Sequence, residues 1–315
     1  MTDDFDDSSE IDTLLEGDDS GLCLIIDGDI IIFQACCVFN DDTDGARARI
    51  AKGINQSIDK KMLAAGCSSY IMFVTPKTNF RDHIVDDYKA NRADVERPVN
   101  LAWAKRWAVD NLNTHFQKFL EADDLLGIYQ TDKTVIWSLD KDLRQIAGKH
   151  LDDKTDKVIE ISELGEVTPY IVVSKKTGKK KTKYHFTGLK GFYFQTLVGD
   201  TTDNIVGCAK RLPSTRMGKP CLKRTGIGAK EAYELLARCK TKEQLGNVVG
   251  REYYKLHKAD WQVHFENQAN LLYMVREADG DIIKRWTYDD REEFMDVTTG
   301  EIYRDRPNKK DKATT

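Results

Sequence analysis

The chain has 315 residues, 40% apolar and 32% charged, with a formal net charge of −4. That length holds one large domain, or a domain with a smaller partner, and the apolar share is enough for a real core. Seven cysteines include no Cys-x-x-Cys, and Cys36 and Cys37 are adjacent, so neither a disulfide framework nor a zinc site is expected, only reduced core thiols of a cytoplasmic protein.

The first twenty residues carry nine acids and no Lys or Arg, the reverse of a targeting signal. Residues 1–20 read as an acidic, disordered leader, and without its acids the remainder carries +5. Leu22 to Phe39 is long and apolar, but Asp27 and Asp29 interrupt it, which excludes a membrane span. Leu22 to Ile26 predicts a buried parallel strand with acids at its carboxyl end. Asp27 and Asp29 alternate along that strand direction and should point to opposite faces.

A helix is predicted from about Arg47 to Ala65, then a strand over Tyr70 to Val74. Thr75 to Pro98 is polar and basic, and Leu101 to Leu112 looks helical. Val135-Ile136-Trp137 predicts a third strand, ending at Ser138-Leu139-Asp140. Strands alternating with helices imply an α/β fold with an open, mostly parallel sheet. Beyond residue 160, Tyr170–Val173 and Tyr184–Phe186 flank a lysine-rich tip (Lys175 to Lys183) and predict a hairpin. From Phe192 short helices alternate with glycine turns, and the last residues look like a solvated tail.

Four acid groups stand at element ends: Asp27, Glu121-Ala122-Asp123-Asp124, Asp140-Lys141-Asp142 and Asp200-Thr201-Thr202-Asp203. Any one alone reads as a turn or helix cap. Position raises them, because Asp27 and Asp140 directly follow apolar strands, and open parallel sheets bind ligands beyond their carboxyl ends. Converging carboxylates must protonate or bind cations, and an all-oxygen set suits hard ions such as Mg²⁺. Two such ions about 3.5–4 Å apart suit hydrolysis of a phosphodiester. There is no Gly-x-Ser-x-Gly, no complete phosphate-binding Gly-x-x-x-x-Gly-Lys-Ser/Thr loop and no metal-spaced histidine pair.

Arg81, Lys89, Arg92, Arg97, Lys105 and Arg106 interleave with Phe80 and Tyr88, which suits a phosphate backbone with unstacked bases; the alternative is a solvated loop and helix face. Gly226-Ile227-Gly228-Ala229-Lys230 precedes an amphipathic stretch and offers backbone N–H groups to a phosphate.

Taken together and in this order, Ile26-Asp27-Gly28, Tyr88-Lys89-Ala90-Asn91-Arg92, the three later acid groups and the Gly226–Lys230 turn resemble the flap-endonuclease family of 5′ nucleases, most of all its bacteriophage 5′-3′ exonuclease branch. The resemblance spans roughly residues 22 to 240. It implies a PIN-like nuclease domain over 21–190, with a basic arch at about 76–110. It further implies a helix–three-turn–helix DNA-binding region over 191–295 and a tail over 296–315.

The implied activity is metal-dependent 5′-3′ exonuclease or structure-specific 5′ nuclease action in phage DNA replication or recombination. The implied partners are DNA with a 5′ end or branched junction and RNA–DNA hybrids, with no membrane and no implied oligomer. Asp27, Glu121, Asp123 and Asp140 would surround one metal, and Asp142, Asp200 and Asp203 a second, with Asp124 shared or nearby. Mn²⁺ would substitute for Mg²⁺. Asp27, Lys89 and Arg92 would be catalytic, the last two holding the scissile phosphate. Arg81, Tyr88, Lys89, Arg92, Gly226, Gly228 and Lys230 would touch nucleic acid, with a monovalent cation at the glycine turn.

Two departures stand out. The family's acid at the end of the second strand is absent from Phe73-Val74-Thr75-Pro76, with Asp82 the nearest in sequence. Cys208 to Arg224 is inserted within the helical unit, as an added DNA contact or a long loop. Competing readings are a haloacid-dehalogenase-type phosphatase using Asp27 and Asp29, a non-catalytic DNA-binding module, and an RNA-directed PIN-type nuclease.

Overall fold

The computed structural model describes residues 21–92, 95–216 and 219–306. The acidic leader and the end of the chain from residue 307 lie outside them. At the centre is a six-stranded sheet in the order β3-β2-β1-β4-β5-β6. Its strands are β1 (Cys23–Asp27), β2 (Ser69–Phe73), β3 (Thr114–His115), β4 (Thr134–Trp137), β5 (Gly148–Asp152) and β6 (Lys157–Ile161). All neighbours are parallel except β5 and β6. The fold class is therefore α/β with a mostly parallel sheet, as the alternation of elements predicts.

β1 is apolar along its length because both faces are covered. Leu24 and Ile26 pack with Ile50, Ile54, Ile58 and Ala108 on one face. Ile25 packs with Leu125, Leu126, Ile283 and Met295 on the other. The first face carries α1 (Gly28–Val38), α2 (Asp44–Ala65) and α3 (Leu101–Asn111); the second carries α4 (Ala122–Ile128). α2 begins at Thr43, whose hydroxyl accepts from the Ala46 N–H, and ends at Gly66 in the left-handed region (φ 66°).

The apolar run after β1 is a helix, not more strand. At Gly28 a Cβ would lie 2.6 Å from Met72 Cγ and 2.8 Å from the Phe73 carbonyl oxygen, so only glycine lets the chain turn directly from β1 into α1. Asp29 thus sits in the first helical turn, and strand alternation does not set its direction.

Beyond β6 come a hairpin of β7 (Val167–Val173) and β8 (Lys180–Phe186), then α5 (Gly188–Val198). A second hairpin follows, β9 (Ala209–Arg216) and β10 (Lys219–Gly226), then α6 (Ala229–Leu236), α7 (Lys242–His257) and α8 (Trp261–Leu272). The helices share a core of Phe192, Leu197, Leu236, Val249, Tyr253 and Phe265. The expected lysine-tipped hairpin is β7–β8. Across the expected Cys208–Arg224 insertion, residues 209–216 and 219–226 pair in a regular antiparallel ladder rather than an open loop.

The chain then returns to the half that holds the central sheet through a small antiparallel sheet, β11 (Ala278–Asp279), β12 (Ile282–Lys284), β13 (Phe294–Asp296) and β14 (Ile302–Tyr303). Met295 and Val297 pack into the core beneath the central sheet, so the stretch expected to be tail from residue 296 is folded to residue 306. Among the described residues, no helix is long and apolar enough to cross a membrane.

Candidate active site

The carboxyl ends of β1 and β4 lie side by side, with the N-terminus of α4 against β1 and β2. Asp27 ends β1 and is 4% exposed; its carboxylate accepts from Ser138 Oγ at 2.8 Å. The Asp140 N–H donates to the same Ser138 Oγ, and Asp140 in turn accepts from the Asp142 N–H at 2.9 Å. One serine past β4 thereby sets the spacing between two acid groups.

Glu121, Asp123, Asp140, Asp142 and Asp203 line one small pocket of about 20 Å³. Asp27 stands beside it, close enough to raise the Asp123 pKa. Next to this pocket, and sharing Asp140, is an open cleft of about 1000 Å³ whose walls include Asp29, Phe33, Arg92, Arg97, Lys105 and Lys141.

The electrostatics follow from burial and crowding. Burial, then Asp29 and Asp140, push the Asp27 carboxyl up. Burial, then Asp27, Asp140 and Glu121, push Asp123 well up. Burial and Asp140 do the same to Asp142, against the pull of Lys141. Burial also lifts Asp203, and the Lys89 and Arg92 cations do not fully offset it. Glu121 goes the other way: burial opposes, but Lys89 and Arg81 hold it down at about 2.

Cations already stand among these acids. Lys89 Nζ pairs with Glu121 and is 3.8 Å from Asp203, and Arg92 pairs with Asp203. Lys141 Nζ bridges Asp142 (2.7 Å) and Asp200 (3.0 Å). As placed, no three His, Cys, Asp or Glu side chains among the described residues close around an ion. The donor set nonetheless fits one, being all oxygen and crowded, with burial and then mutual repulsion raising Asp27, Asp123 and Asp142.

Two expected site residues take other roles, although Arg81 borders the acid pocket and donates to Glu121 at 3.2 Å. Arg81, expected on the DNA-facing surface, is 1% exposed. Its guanidinium holds Asp124 through both carboxylate oxygens (2.7 and 2.8 Å) and donates to the Leu271 and Tyr273 carbonyls. Asp124, expected near a metal, is 0% exposed, and besides the Arg81 fork it accepts from the Glu121 and Val275 N–H groups. Its oxygens are filled, so it is no free ligand. The pair instead fastens α4 to the segment after α8, and removing either partner would strand a buried charge.

Tyr88 is half-buried and donates from its hydroxyl to Glu121 at 2.9 Å, orienting that acid. Gly226 closes β10, where a Cβ would fall 2.3 Å from the Cys208 carbonyl oxygen, so its glycine serves packing. Gly228 has open space around it before α6 and is exposed, as is Lys230. These three lie on the helical unit rather than in the acid pocket.

The position lacking an acid after β2 has a defined job. The Thr75 N–H donates to Asp29 (3.2 Å), its hydroxyl accepts from the Ala122 N–H (3.0 Å), and its carbonyl accepts from Lys105 (3.0 Å). Asp29 is also paired with Lys105 at 2.6 Å. Asp82 is exposed and does not take the missing acid's place in the pocket. Ser138 and Lys141 were not singled out from sequence, although both lie inside or beside the Asp140–Asp142 motif.

Residues 22–177 match the family model described as 5′-3′ exonuclease, N-terminal resolvase-like domain. An exonuclease of Escherichia phage T7 is 30% identical over 163 residues, covering 42% of this chain and 52% of that protein. A 5′-3′ exonuclease of Buchnera aphidicola is 24% identical over 202 residues, covering 59% and 65%. The chain spans about half the length of the phage relative. A solved structure of T5 5′-exonuclease with bound divalent metal ions (zinc) is similar at a TM-score of 0.47 and 16% identity, covering 79% of this chain and 88% of that one. Residues 22–177, which carry the sheet and the converging acids other than Asp200 and Asp203, are thus the part of the chain that matches the 5′-3′ exonuclease family.

Proposed function

We propose that the protein hydrolyses phosphodiester bonds of DNA at or near 5′ ends, as a metal-dependent 5′-3′ exonuclease or structure-specific 5′ nuclease. The observation that carries this reading is the small pocket lined by Glu121, Asp123, Asp140, Asp142 and Asp203, with Asp27 beside it and with Lys89 and Arg92 paired to Glu121 and Asp203 at its edge. Asp27, Glu121, Asp123 and Asp140 would hold one divalent ion, and Asp142, Asp200 and Asp203 a second; Mg²⁺ is the expected ion and Mn²⁺ a substitute. Bound there, such ions supply charge against the developing phosphate anion and lower the pKa of water.

The chain's own residues do the rest. Ser138 fixes Asp27 relative to Asp140, and Tyr88 orients Glu121. Lys89 and Arg92 stand where a phosphate entering from the cleft would meet them. Cleft walls of both cationic and apolar side chains suit a backbone with exposed bases. The phosphatase reading needs Asp29 at the same centre as Asp27, but Asp29 is engaged by Lys105 and the Thr75 N–H on the cleft side.

End-labelled duplex, flap and RNA–DNA hybrid substrates, with and without Mg²⁺, test the proposal. Products with 5′-phosphates that appear only with the ion support it, and full activity in excess chelator sinks it.

Ion binding has its own signature. Asp27, Asp123 and Asp142 keep their protons to higher pH when folded than when unfolded. Between the ordinary carboxyl range and those raised values the folded chain binds more protons, so the metal-free protein loses stability as pH rises through that window. Divalent ions compete with those protons. The gain in Tm on adding Mg²⁺ is therefore expected to be larger at about pH 8 than at about pH 6. Thermal melts against a chelator control read this, and an equal or absent gain at both values counts against a carboxylate ion site.

A further inference from the structure

We propose that the β9–β10 hairpin is an arm that binds the phosphate backbone of duplex DNA, extending the contact made by the helical unit; this rests on the nuclease reading above. Residues 209–226 hold six Lys or Arg and no Asp or Glu, in a chain that is acidic overall. An acidic protein attracts a polyanion only through local basic elements, and this hairpin is one, hydrogen-bonded to its surroundings at the root.

The ladder sorts its cations by face. Arg211 and Arg224 are cross-strand partners and point to the same side. Both are used up at the root. Arg224 donates to the carbonyls of Leu197 (3.0 Å), Val206 (2.8 Å) and Ile227 (2.9 Å). Arg211 donates to Asn204 (2.6 Å to Oδ1) and Asp87 (3.0 Å). These bonds tie the arm to the end of α5, to the turn before α6, and to the arch segment that carries Lys89 and Arg92.

Lys210 and Lys223 lie on the opposite face. Lys210 pairs in register with Thr225 and Lys223 with Leu212, so the two lysines are diagonal neighbours. Both are exposed, and among the described residues neither is paired with a carboxylate. Lysines around the acid pocket and its neighbouring cleft behave differently, since Lys89, Lys105 and Lys141 are all engaged. The free pair therefore stands on a fixed arm that springs from the turn containing the open Gly228 backbone. A rigid pair of unpaired cations beside exposed backbone donors fits successive phosphates of one strand.

The test is DNA binding by the whole protein in chelator, where no cleavage occurs, using fluorescent duplex and single-stranded oligonucleotides across a salt series. Lys210→Ser combined with Lys223→Ser should leave the melting temperature unchanged, because both side chains are exposed and unpaired. Loss of two phosphate contacts should weaken duplex binding at least about fivefold and make the log affinity against log salt slope shallower by about 1.8. Single-strand affinity should change little. An unchanged duplex affinity and slope overturns the arm, and so does an equal loss on both substrates, which would mean general attraction only. Arm-dependent duplex binding by a wild-type protein that cleaves nothing with Mg²⁺ would uphold the arm and sink the nuclease reading instead.

Discussion

Replacing Asp123 or Asp27 by Asn is expected to lower turnover on DNA by about 1000-fold or more, with Asp140→Asn close behind, which is roughly 4 kcal/mol of barrier each. The reason lies in the shared pocket. Asp123 is crowded by Asp27, Asp140 and Glu121, and Asp27 by Asp29 and Asp140. Removing one charge relieves the repulsion that a cation would otherwise satisfy, so the site loses attraction for ions while keeping its shape. The folded chain should not suffer, because an uncharged amide is easier to bury than a crowded carboxylate.

Asp29→Asn is the control. Its partners are Lys105 and the Thr75 N–H, outside the small pocket, so it should keep most of the activity. Steady-state cleavage of labelled duplex by the four variants decides the matter. Equal collapse of Asp27→Asn and Asp29→Asn, together with hydrolysis of a small phosphomonoester, would favour a phosphatase.

Lys89→Ala and Arg92→Ala are each expected to cut the single-turnover rate at saturating DNA by about 100-fold, or about 2.7 kcal/mol. Phosphodiester hydrolysis adds negative charge to oxygens already beside carboxylates. A cation whose contact strengthens as that charge develops lowers the barrier, whereas one that binds substrate and transition state alike changes affinity only. The backbone favours the first role. Lys89 is a non-glycine residue held at φ 53°, with its N–H donating to the Asp203 carbonyl at 3.1 Å. Such left-handed backbone costs about 1 kcal/mol or more and persists only where its surroundings hold it. Arg92 is fixed through Asp203 and the Thr202 carbonyl, which leaves its planar fork aimed from one place. A lysine at the β8 tip, such as Lys180, has no such setting, and Lys180→Ala should shift affinity while leaving the saturated rate near normal. Single-turnover cleavage across a DNA titration at fixed salt separates the cases. Full recovery of rate by Lys89→Ala and Arg92→Ala at high DNA would reduce the segment to a binding surface.

Much of the site was legible from residue order because parallel sheets make it so. A strand buried on both faces must be a short apolar run, and Cys23–Ile26 and Val135–Trp137 are such runs. The acids that follow them, Asp27 and Asp140, were then placed at the sheet's binding edge by topology alone. The motif order pointed to the family without any contact being known.

Other features had no local signal. Asp27-Gly28-Asp29 divides one continuous apolar stretch into strand and helix, and only the closeness of Met72 and Phe73 to Gly28 shows where the turn falls. The two- and three-residue strands β11 to β14 are too short for any period to show, and they form because Met295 and Val297 find a core.

Arg81 and Asp124 looked like site residues because charge is visible in a sequence and burial is not. Which acids share a pocket and which are spent on a buried arginine depends on contacts between residues tens to hundreds of positions apart: Arg81 meets Asp124 across 43 residues and the Leu271 carbonyl across 190. Composition and spacing determined that this chain would gather carboxylates at a sheet edge. Long-range packing alone decided which of them remained free to act, since an acid with all its lone pairs already filled has nothing left to offer an ion.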